Sequence, residues 1–223
     1  MKLVHGDLSG EIINEQKECV EWIIESPDLF SKYVGELYRQ FNKDEGKFVL
    51  SENNKEIDIA KYSEIIINPL SIEINNRKVL NKLYEELNKL SFNEVLYMKT
   101  LELTKLIQEY LLELEQETNY ILEFNNEVEM SALFKAVDLK YEDSGEDFLE
   151  RLVKYIKILV DLLSVKLFVF INARCFMNDE QIKKLCEEIK YIEIKGLFIE
   201  NSEKACVEGV ERYIIDKDRC EIY

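Results

Sequence analysis

The stretch from Ser91 to about Glu123 contains neither glycine nor proline, and its apolar residues recur every three or four positions. That spacing places them along one side of an α-helix. About thirty helical residues would extend over roughly 50 Å, at about 1.5 Å per residue, which exceeds the width of a small domain. The pattern therefore predicts a long helix that projects as a leg and packs against another helix or subunit.

Strand and helix signals alternate on both sides of this stretch. Ser26 and Pro27 suit the N-cap and first residue of a helix, and further amphipathic segments predict four more helices. The helices are predicted at 27–41, 77–90, 128–136, 146–164 and 178–190. Short apolar runs predict strands at 19–25, 47–51, 63–68, 137–142, 165–172 and 196–200, and edge strands at 212–216 and 220–223. The very apolar run at 165–172 is expected in the centre of the sheet.

Together these elements predict an α/β protein. Uninterrupted apolar runs such as 65–67 favour strands covered on both faces, hence a parallel or mixed sheet. The simplest arrangement is a head with a mixed sheet, built from residues 1–75 and 164–223, and a helical leg inserted between them at 76–163.

Charge and composition limit the classes of function. The 223 residues include 45 acidic and 29 basic side chains, a formal charge of −16. Such a charge repels nucleic acid on average, although it does not prevent binding at a locally basic surface. The excess of carboxylates suits divalent cations, calcium above all. No apolar run approaches the length of a membrane span and the N-terminus lacks a signal-peptide pattern, so we expect a cytoplasmic protein.

The motifs that bind nucleotide phosphates are missing from the sequence. Neither GxxxxGK[ST] nor GxGxxG occurs, and the strand-to-helix turn in WIIESPDLF has no glycine. Asn172 stands where a magnesium-binding acid would follow an apolar strand, and we interpret it as a polar cap. Cys175 has no catalytic signature, the sole histidine, His5, lies on the N-terminal strand, and the five cysteines are expected to be reduced and buried. We therefore expect no enzymatic activity.

Two groups of charged residues are candidates for binding. Glutamates concentrate where the long helix meets the next short one, and oxygen ligands on such a bend suit calcium; a solvated acidic face is the alternative. The candidate calcium ligands are Glu117, Glu123, Glu127 and Glu129, with Glu113, Asn125 and Asn126 alongside. Basic residues follow, three of them at a spacing of three on one helix, and they suit a duplex backbone or a solvated surface. These are Lys135, Lys140, Arg151, Lys154 and Lys157.

The order of the elements resembles a known family, the ring-forming accessory protein of type II-A CRISPR adaptation. The resemblance covers most of the chain. It rests on SEIIINPLSIEINNRKVLNKLYEEL, on the acidic leg ending in LEFNNEVEMSALFKAVDLKYEDSGED, on KLFVFINARCFMNDEQIKKL, on GLFIENSE and on the tail YIIDKDRCEIY. The strand–Asn–small–small–Phe turn of the family corresponds to the segment from Phe170 to Phe176.

This resemblance implies a degenerate P-loop-like head and a helical leg. It further implies a homotetrameric ring that binds calcium, holds the ends of double-stranded DNA in a lysine-lined channel and catalyses no reaction. Lys61, Lys135 and Lys140 match lysines of the family, and Arg151 matches another basic position. CRISPR integrase proteins and the effector nuclease are the partners that the resemblance implies.

Two other functions stay open at this point. One is an acidic scaffold that binds proteins without contacting DNA, which the net charge favours. The other is an active nucleotide hydrolase, against which the missing phosphate-binding motifs argue.

Overall fold

Strands and helices alternate along residues 1–125, 127–143 and 147–222, which are the residues that the computed structural model describes. We number the elements in chain order. The strands are β1 Lys2–His5, β2 Cys19–Ile24, β3 Phe48–Glu52, β4 Lys55–Ile57, β5 Ser63–Ile66, β6 Leu167–Ile171, β7 Lys195–Glu200, β8 Glu211–Ile215 and β9 Glu221–Ile222. The helices are α1 Pro27–Phe41, α2 Ile59–Tyr62, α3 Arg77–Ser91, α4 Tyr97–Gln116, α5 Met130–Ala136, α6 Phe148–Leu163 and α7 Asp179–Tyr191.

The chain divides into two compact units. Unit 1 consists of Met1–Ile72 and Gly145–Tyr223, and unit 2 of Glu73–Ser144. The predicted leg extended to residue 163, whereas α6 belongs to unit 1. The Tyr155 hydroxyl of α6 donates to Glu64 of β5, and Lys157 pairs with Glu188 of α7 at 2.8 Å. These contacts tie α6 to the sheet and helices of unit 1.

A six-stranded mixed sheet forms the centre of unit 1, which confirms the α/β prediction. The strand order is β5-β6-β7-β2-β8-β9, in which only β9 is antiparallel to its neighbour. Every residue of β2 and β6 is buried, as expected for parallel strands covered on both faces. β6 is interior as predicted, whereas the prediction of β8 as an edge strand is wrong because β9 pairs with its outer side.

The core of unit 1 forms around Trp22, which is fully buried on β2. Its indole stacks on Tyr213 of β8 with ring centroids 6.0 Å apart, and Tyr33 of α1 lies 5.4 Å away. A small antiparallel sheet, β1-β3-β4, adds Leu3 and Phe48 to the same core. The predicted helix 27–41 is confirmed as α1, which begins at Pro27 because proline suits the first helical turn.

Unit 2 corrects the prediction of one helix from Ser91 to about Glu123. The chain leaves the helical path after α3, and the Asn93 side chain accepts the backbone N–H groups of Val95 and Leu96 before α4 begins. At the other end, Thr118 bonds to the Glu115 carbonyl and the chain turns. α4 therefore has 20 residues, about 30 Å at about 1.5 Å per residue.

The segment 137–142 is another correction, because it forms no strand in the described part of the chain. Its backbone bonds instead to polar groups of unit 2: Tyr84 donates to the Leu139 carbonyl, and Asn75 bonds to both the N–H and the carbonyl of Tyr141. With its hydrogen bonds satisfied in this way, the segment needs no sheet partner. The predicted start of the next helix at Glu146 lies outside the described residues.

Gly196 provides a test of how closely α7 packs on β7. A methyl group added at Gly196 would lie 2.8 Å from Cδ1 of Ile189, whereas at Gly35 of α1 it would meet nothing within 4 Å. We expect Gly196→Ala to lower the free energy of unfolding by about 1–3 kcal/mol through overpacking. Gly35→Ala, the control, should raise it by about 0.5–1 kcal/mol through helix propensity. Urea denaturation measures both.

Ile189→Val removes the clashing carbon and completes a double-mutant cycle. We expect Ile189→Val alone to cost about 0.5–1.5 kcal/mol, and the double variant to lose less than the sum of the two single losses. Strict additivity would contradict a direct clash between these two side chains.

Candidate functional site

The carboxyl edge of the parallel strands is the place where open α/β sheets usually bind ligands. In this chain β2 is joined to α1 by only two residues, Glu25 and Ser26. The Glu25 N–H donates to the Ile215 carbonyl, and Pro27 has no N–H to offer. This connection is therefore shorter than a loop that wraps a phosphate group, and two of its first three residues offer no free N–H.

A buried ion network extends from the middle of β2 to the segment that follows β6. Glu21 lies in the middle of β2 and accepts from Arg174 Nη1 at 3.2 Å and from Arg212 Nε at 2.8 Å. Arg174 follows β6 and Arg212 belongs to β8, so the network joins three strands that are distant in the sequence. The side chains of Glu21 and Arg174 are almost completely buried. Each buried charge is thus compensated by a partner, as burial requires.

The two arginines also hold the loop between β7 and β8. Arg174 Nη2 donates to the Ala205 carbonyl at 3.0 Å and to Asp179 at 2.8 Å. Arg212 donates to the Lys204 carbonyl at 2.7 Å and to Glu203 at 3.0 Å. Protein groups therefore bind the donors that could otherwise face a ligand. The sequence analysis missed this network, although one acid within the apolar run CVEWII was a visible signal.

Glu200 ends β7 beside this network and is only 1% exposed. Burial raises the pKa of its carboxyl to about 7, and the charge of Glu21 acts in the same direction. The Arg174 N–H, 3.0 Å from Oε1, opposes this shift by stabilising the anion. Glu200 therefore changes its charge near neutral pH, inside the folded protein.

The sequence analysis assigned no catalytic role to Asn172, His5 or Cys175, and the structure shows where each of them lies. Asn172 follows β6 in a left-handed conformation, and its Oδ1 accepts from the Asn201 N–H at 3.2 Å. His5 is buried against Tyr33 and Phe48. Cys175, by contrast, is exposed.

All five cysteines are free, and the expectation that they are buried is wrong for three of them. Cys19 and Cys186 pack in the interior, where their mutual hydrogen bond and burial raise the pKa of Cys19. Cys175, Cys206 and Cys220 are exposed because they lie beyond the ends of strands.

The six predicted DNA contacts are divided between the two units. Lys61, Arg151, Lys154 and Lys157 belong to unit 1, and Lys135 and Lys140 belong to unit 2. Among the ion pairs between described residues are Lys140 with Asp138 at 2.6 Å and Lys157 with Glu188 at 2.8 Å.

Lys61 and Lys135 are the two predicted lysines whose charge is most available. Lys61 is exposed on α2, with its Nζ 4.8 Å from the centre of the Tyr62 ring. Lys135 is exposed in the last turn of α5. Neither forms an ion pair with a described residue. Arg151 and Lys154 are half-buried on α6.

The predicted calcium ligands are dispersed over the end of α4 and the segment before α5. Glu117 directly follows the last residue of α4, Glu123 is exposed, and Asn126 lies outside the described residues. Glu127 and Glu129 line a cavity of about 890 Å³ in unit 2, together with Asn125. Across residues 1–125, 127–143 and 147–222, no three acidic, histidine or cysteine side chains gather closely enough to hold one metal ion.

Among the described residues, no helix combines sufficient length with sufficient apolar character to cross a membrane.

Comparison with known proteins gives consistent matches. A family model described as CRISPR-associated protein (Cas_Csn2) matches residues 40–219. The protein named CRISPR-associated protein Csn2 of Streptococcus agalactiae is 24% identical over 201 residues, which are 87% of this chain and 86% of that protein. The one of that name from Enterococcus faecalis is 23% identical over 159 residues, 69% of each chain.

A solved structure supports the fold. The crystal structure of Stu0660 of Streptococcus thermophilus is 14% identical and aligns with a TM-score of 0.59, over 100% of this chain and 76% of that chain.

The raised pKa of Glu200 predicts that the free energy of unfolding depends on pH. Its pKa in the folded protein, about 7, is above the ordinary value of 4.5, so the native state binds more protons between these values. The stability that its protonated form contributes is full below pH 4.5 and is lost as pH rises to about 7. Glu200→Gln should remove this dependence, which amounts to about 2–3 kcal/mol at most.

Urea denaturation at pH 5 and pH 7.5 measures the difference. Glu180→Gln, at an exposed carboxyl of α7, is the control and should keep the wild-type pH dependence. If Glu200→Gln also keeps it, Glu200 does not titrate in this range.

Proposed function

Because this chain belongs to the Csn2 family of CRISPR-associated proteins, we propose that it supports the acquisition of new spacers by binding the ends of double-stranded DNA. In this proposal it acts in the cytoplasm as a homotetrameric ring, without catalysis, beside the CRISPR integrase proteins and the effector nuclease. The family match over residues 40–219 is the observation that carries the proposal.

The charge of the chain requires a local mechanism of DNA binding. A net charge of −16 repels a duplex at a distance, so attraction must come from a few cations held close to phosphates. Lys61 and Lys135 support this role best, since both are exposed and neither is paired with a described carboxylate. Symmetry would repeat each lysine four times around one duplex. Phosphate contacts of this kind carry no sequence preference.

The network at the sheet edge supports a function without nucleotide hydrolysis. Arg174 and Arg212, the two arginines of the network, are bound to Glu21 and to the loop that follows β7. A ring would also require a free end of the duplex for entry, because closed circular DNA cannot be threaded through it.

Lys135→Glu tests the DNA contact. We expect it to abolish retention of linear duplex at moderate salt. If four copies each lose one phosphate contact, the slope of log K against log salt concentration should fall by about 3–4. Fluorescence anisotropy with a linear duplex of 30 to 40 base pairs, over a range of about 50–200 mM salt, measures both effects.

Lys217→Glu is the matched control, since Lys217 is also exposed and the substitution changes the charge equally. It should leave binding close to that of the wild type. Equal affinity for closed circular DNA would contradict threading. Unchanged binding by Lys135→Glu and by Lys61→Glu would favour an acidic scaffold that does not contact DNA.

Calcium binding is a separate proposal, because the described carboxylates of one chain supply no complete ligand set. Oxygen ligands suit calcium, and Glu127, Glu129 and Asn125 around one cavity supply part of such a set. We expect calcium, but not magnesium at equal concentration, to raise the melting temperature, by an amount that grows with the logarithm of calcium concentration. Glu127→Gln combined with Glu129→Gln should abolish this rise, whereas Glu180→Gln should not. A melting temperature independent of calcium would exclude the site.

A further inference from the structure

Two ammonium groups lie over one aromatic ring at the amino ends of β5 and β6. Lys61 Nζ is 4.8 Å and Lys166 Nζ is 5.6 Å from the centre of the Tyr62 ring. Both distances are in the range in which the face of an aromatic ring attracts a cation. Tyr62 ends α2 directly before β5, and Lys166 directly precedes β6. We call these three residues the Tyr62 cluster.

Backbone contacts hold the Tyr62 cluster within unit 1. The Lys166 N–H donates to the Tyr62 carbonyl at 2.8 Å, and the half-buried Tyr62 side chain packs against the hydrophobic core. Ser63 and Leu167, which follow these two residues, are paired in register between β5 and β6. Both lysines therefore start from a rigid backbone, which reduces the conformational entropy that is lost when a ligand binds.

A carboxylate of the small sheet contacts this cluster. Glu52 Oε2 lies 2.6 Å from Lys166 Nζ, and the side chains of Lys166 and Glu52 are 38% and 34% exposed. Glu52 ends β3, and Asn53 and Asn54, both at positive φ, form the two-residue turn that leads into β4. Such a turn fixes the end of a hairpin, so Glu52 is held beside Lys166. Because the pair is partly exposed, it is weak enough for another anion to replace the carboxylate.

We propose that the Tyr62 cluster binds a phosphodiester of duplex DNA, and that Glu52 competes with this phosphate for Lys166. Lys61 and Lys166 donate to the phosphate oxygens. Tyr62 is a positioning residue, because its uncharged ring attracts both ammonium groups and leaves their charges available to the phosphate. The proposal rests on the DNA binding of the proposed function, to which it adds a second cation, a positioning residue and an internal competitor.

Glu52→Gln tests the competition. The variant removes the competing charge and keeps the size of the side chain. We expect the dissociation constant for a linear duplex to fall by about threefold or more at about 150 mM salt, and its dependence on salt to become steeper. Glu56→Gln, the matched control, removes the same charge from the exposed edge of the same hairpin and should leave the affinity close to that of the wild type. Fluorescence anisotropy measures both variants.

The gain from Glu52→Gln must depend on Lys166. We expect the double variant Glu52→Gln with Lys166→Gln to bind the duplex no more tightly than Lys166→Gln alone, because the two side chains interact directly. A gain that persists without Lys166 would come from the lower net charge of the chain, and it would overturn the competition.

Two substitutions of Tyr62 test the positioning. Tyr62→Leu removes the ring, so the dissociation constant should rise by about threefold or more and the salt dependence should become shallower. Tyr62→Phe keeps the ring and should restore both values. Circular dichroism shows whether Tyr62→Leu folds, and if it does not, the pair of Glu52 and Lys166 variants decides the proposal.

The outcomes separate this inference from the proposed function. A wild-type chain without affinity for linear duplex would overturn both. A wild-type chain that binds the duplex, while Glu52→Gln and Glu56→Gln have the same affinity and Tyr62→Leu binds as tightly as the wild type, would overturn only the Tyr62 cluster.

Discussion

Glu21 accepts hydrogen bonds from Arg174 and Arg212 in the interior of unit 1, and this ion triad joins parts of the chain that lie far apart in the sequence. β2 provides the acid, the turn after β6 one arginine, and β8 the other. Removing Glu21 would deprive Arg174 and Arg212 of their shared buried acid, and breaking a buried pair in this way costs about 3–5 kcal/mol. The same arginines fasten the loop after β7, so the triad determines the form of the whole carboxyl edge.

Because the chain's own side chains bind the arginines beside the sheet, the outer surface of the protein is the more suitable place to bind a large partner. That surface is strongly acidic, and neighbouring carboxylates neutralise Lys140 and Lys157 among the candidate cations. In the proposed ring, exposed lysines of several copies would surround one duplex, so that symmetry would supply the cations that one chain lacks.

Unit 2 exposes more apolar surface than the sheet of unit 1. α4 buries little of its own apolar surface, whereas β2 and β6 are buried throughout. Apolar surface on a helix gains stability only when another surface covers it.

Local sequence patterns were sufficient to predict much of the fold and the family of this protein. The apolar runs of β2, β6 and β7 identified the sheet, Ser26 and Pro27 placed the start of α1, and the quoted segments identified the family. Tertiary structure decided the rest: the end of α4 at Gln116, the hydrogen bonds that keep 137–142 out of a sheet, the interior position of β8, and the triad around Glu21. The physical reason is that periodicity reports which side of an element is apolar. Hydrogen bonds and ion pairs between distant residues depend on strand order, which no local pattern contains.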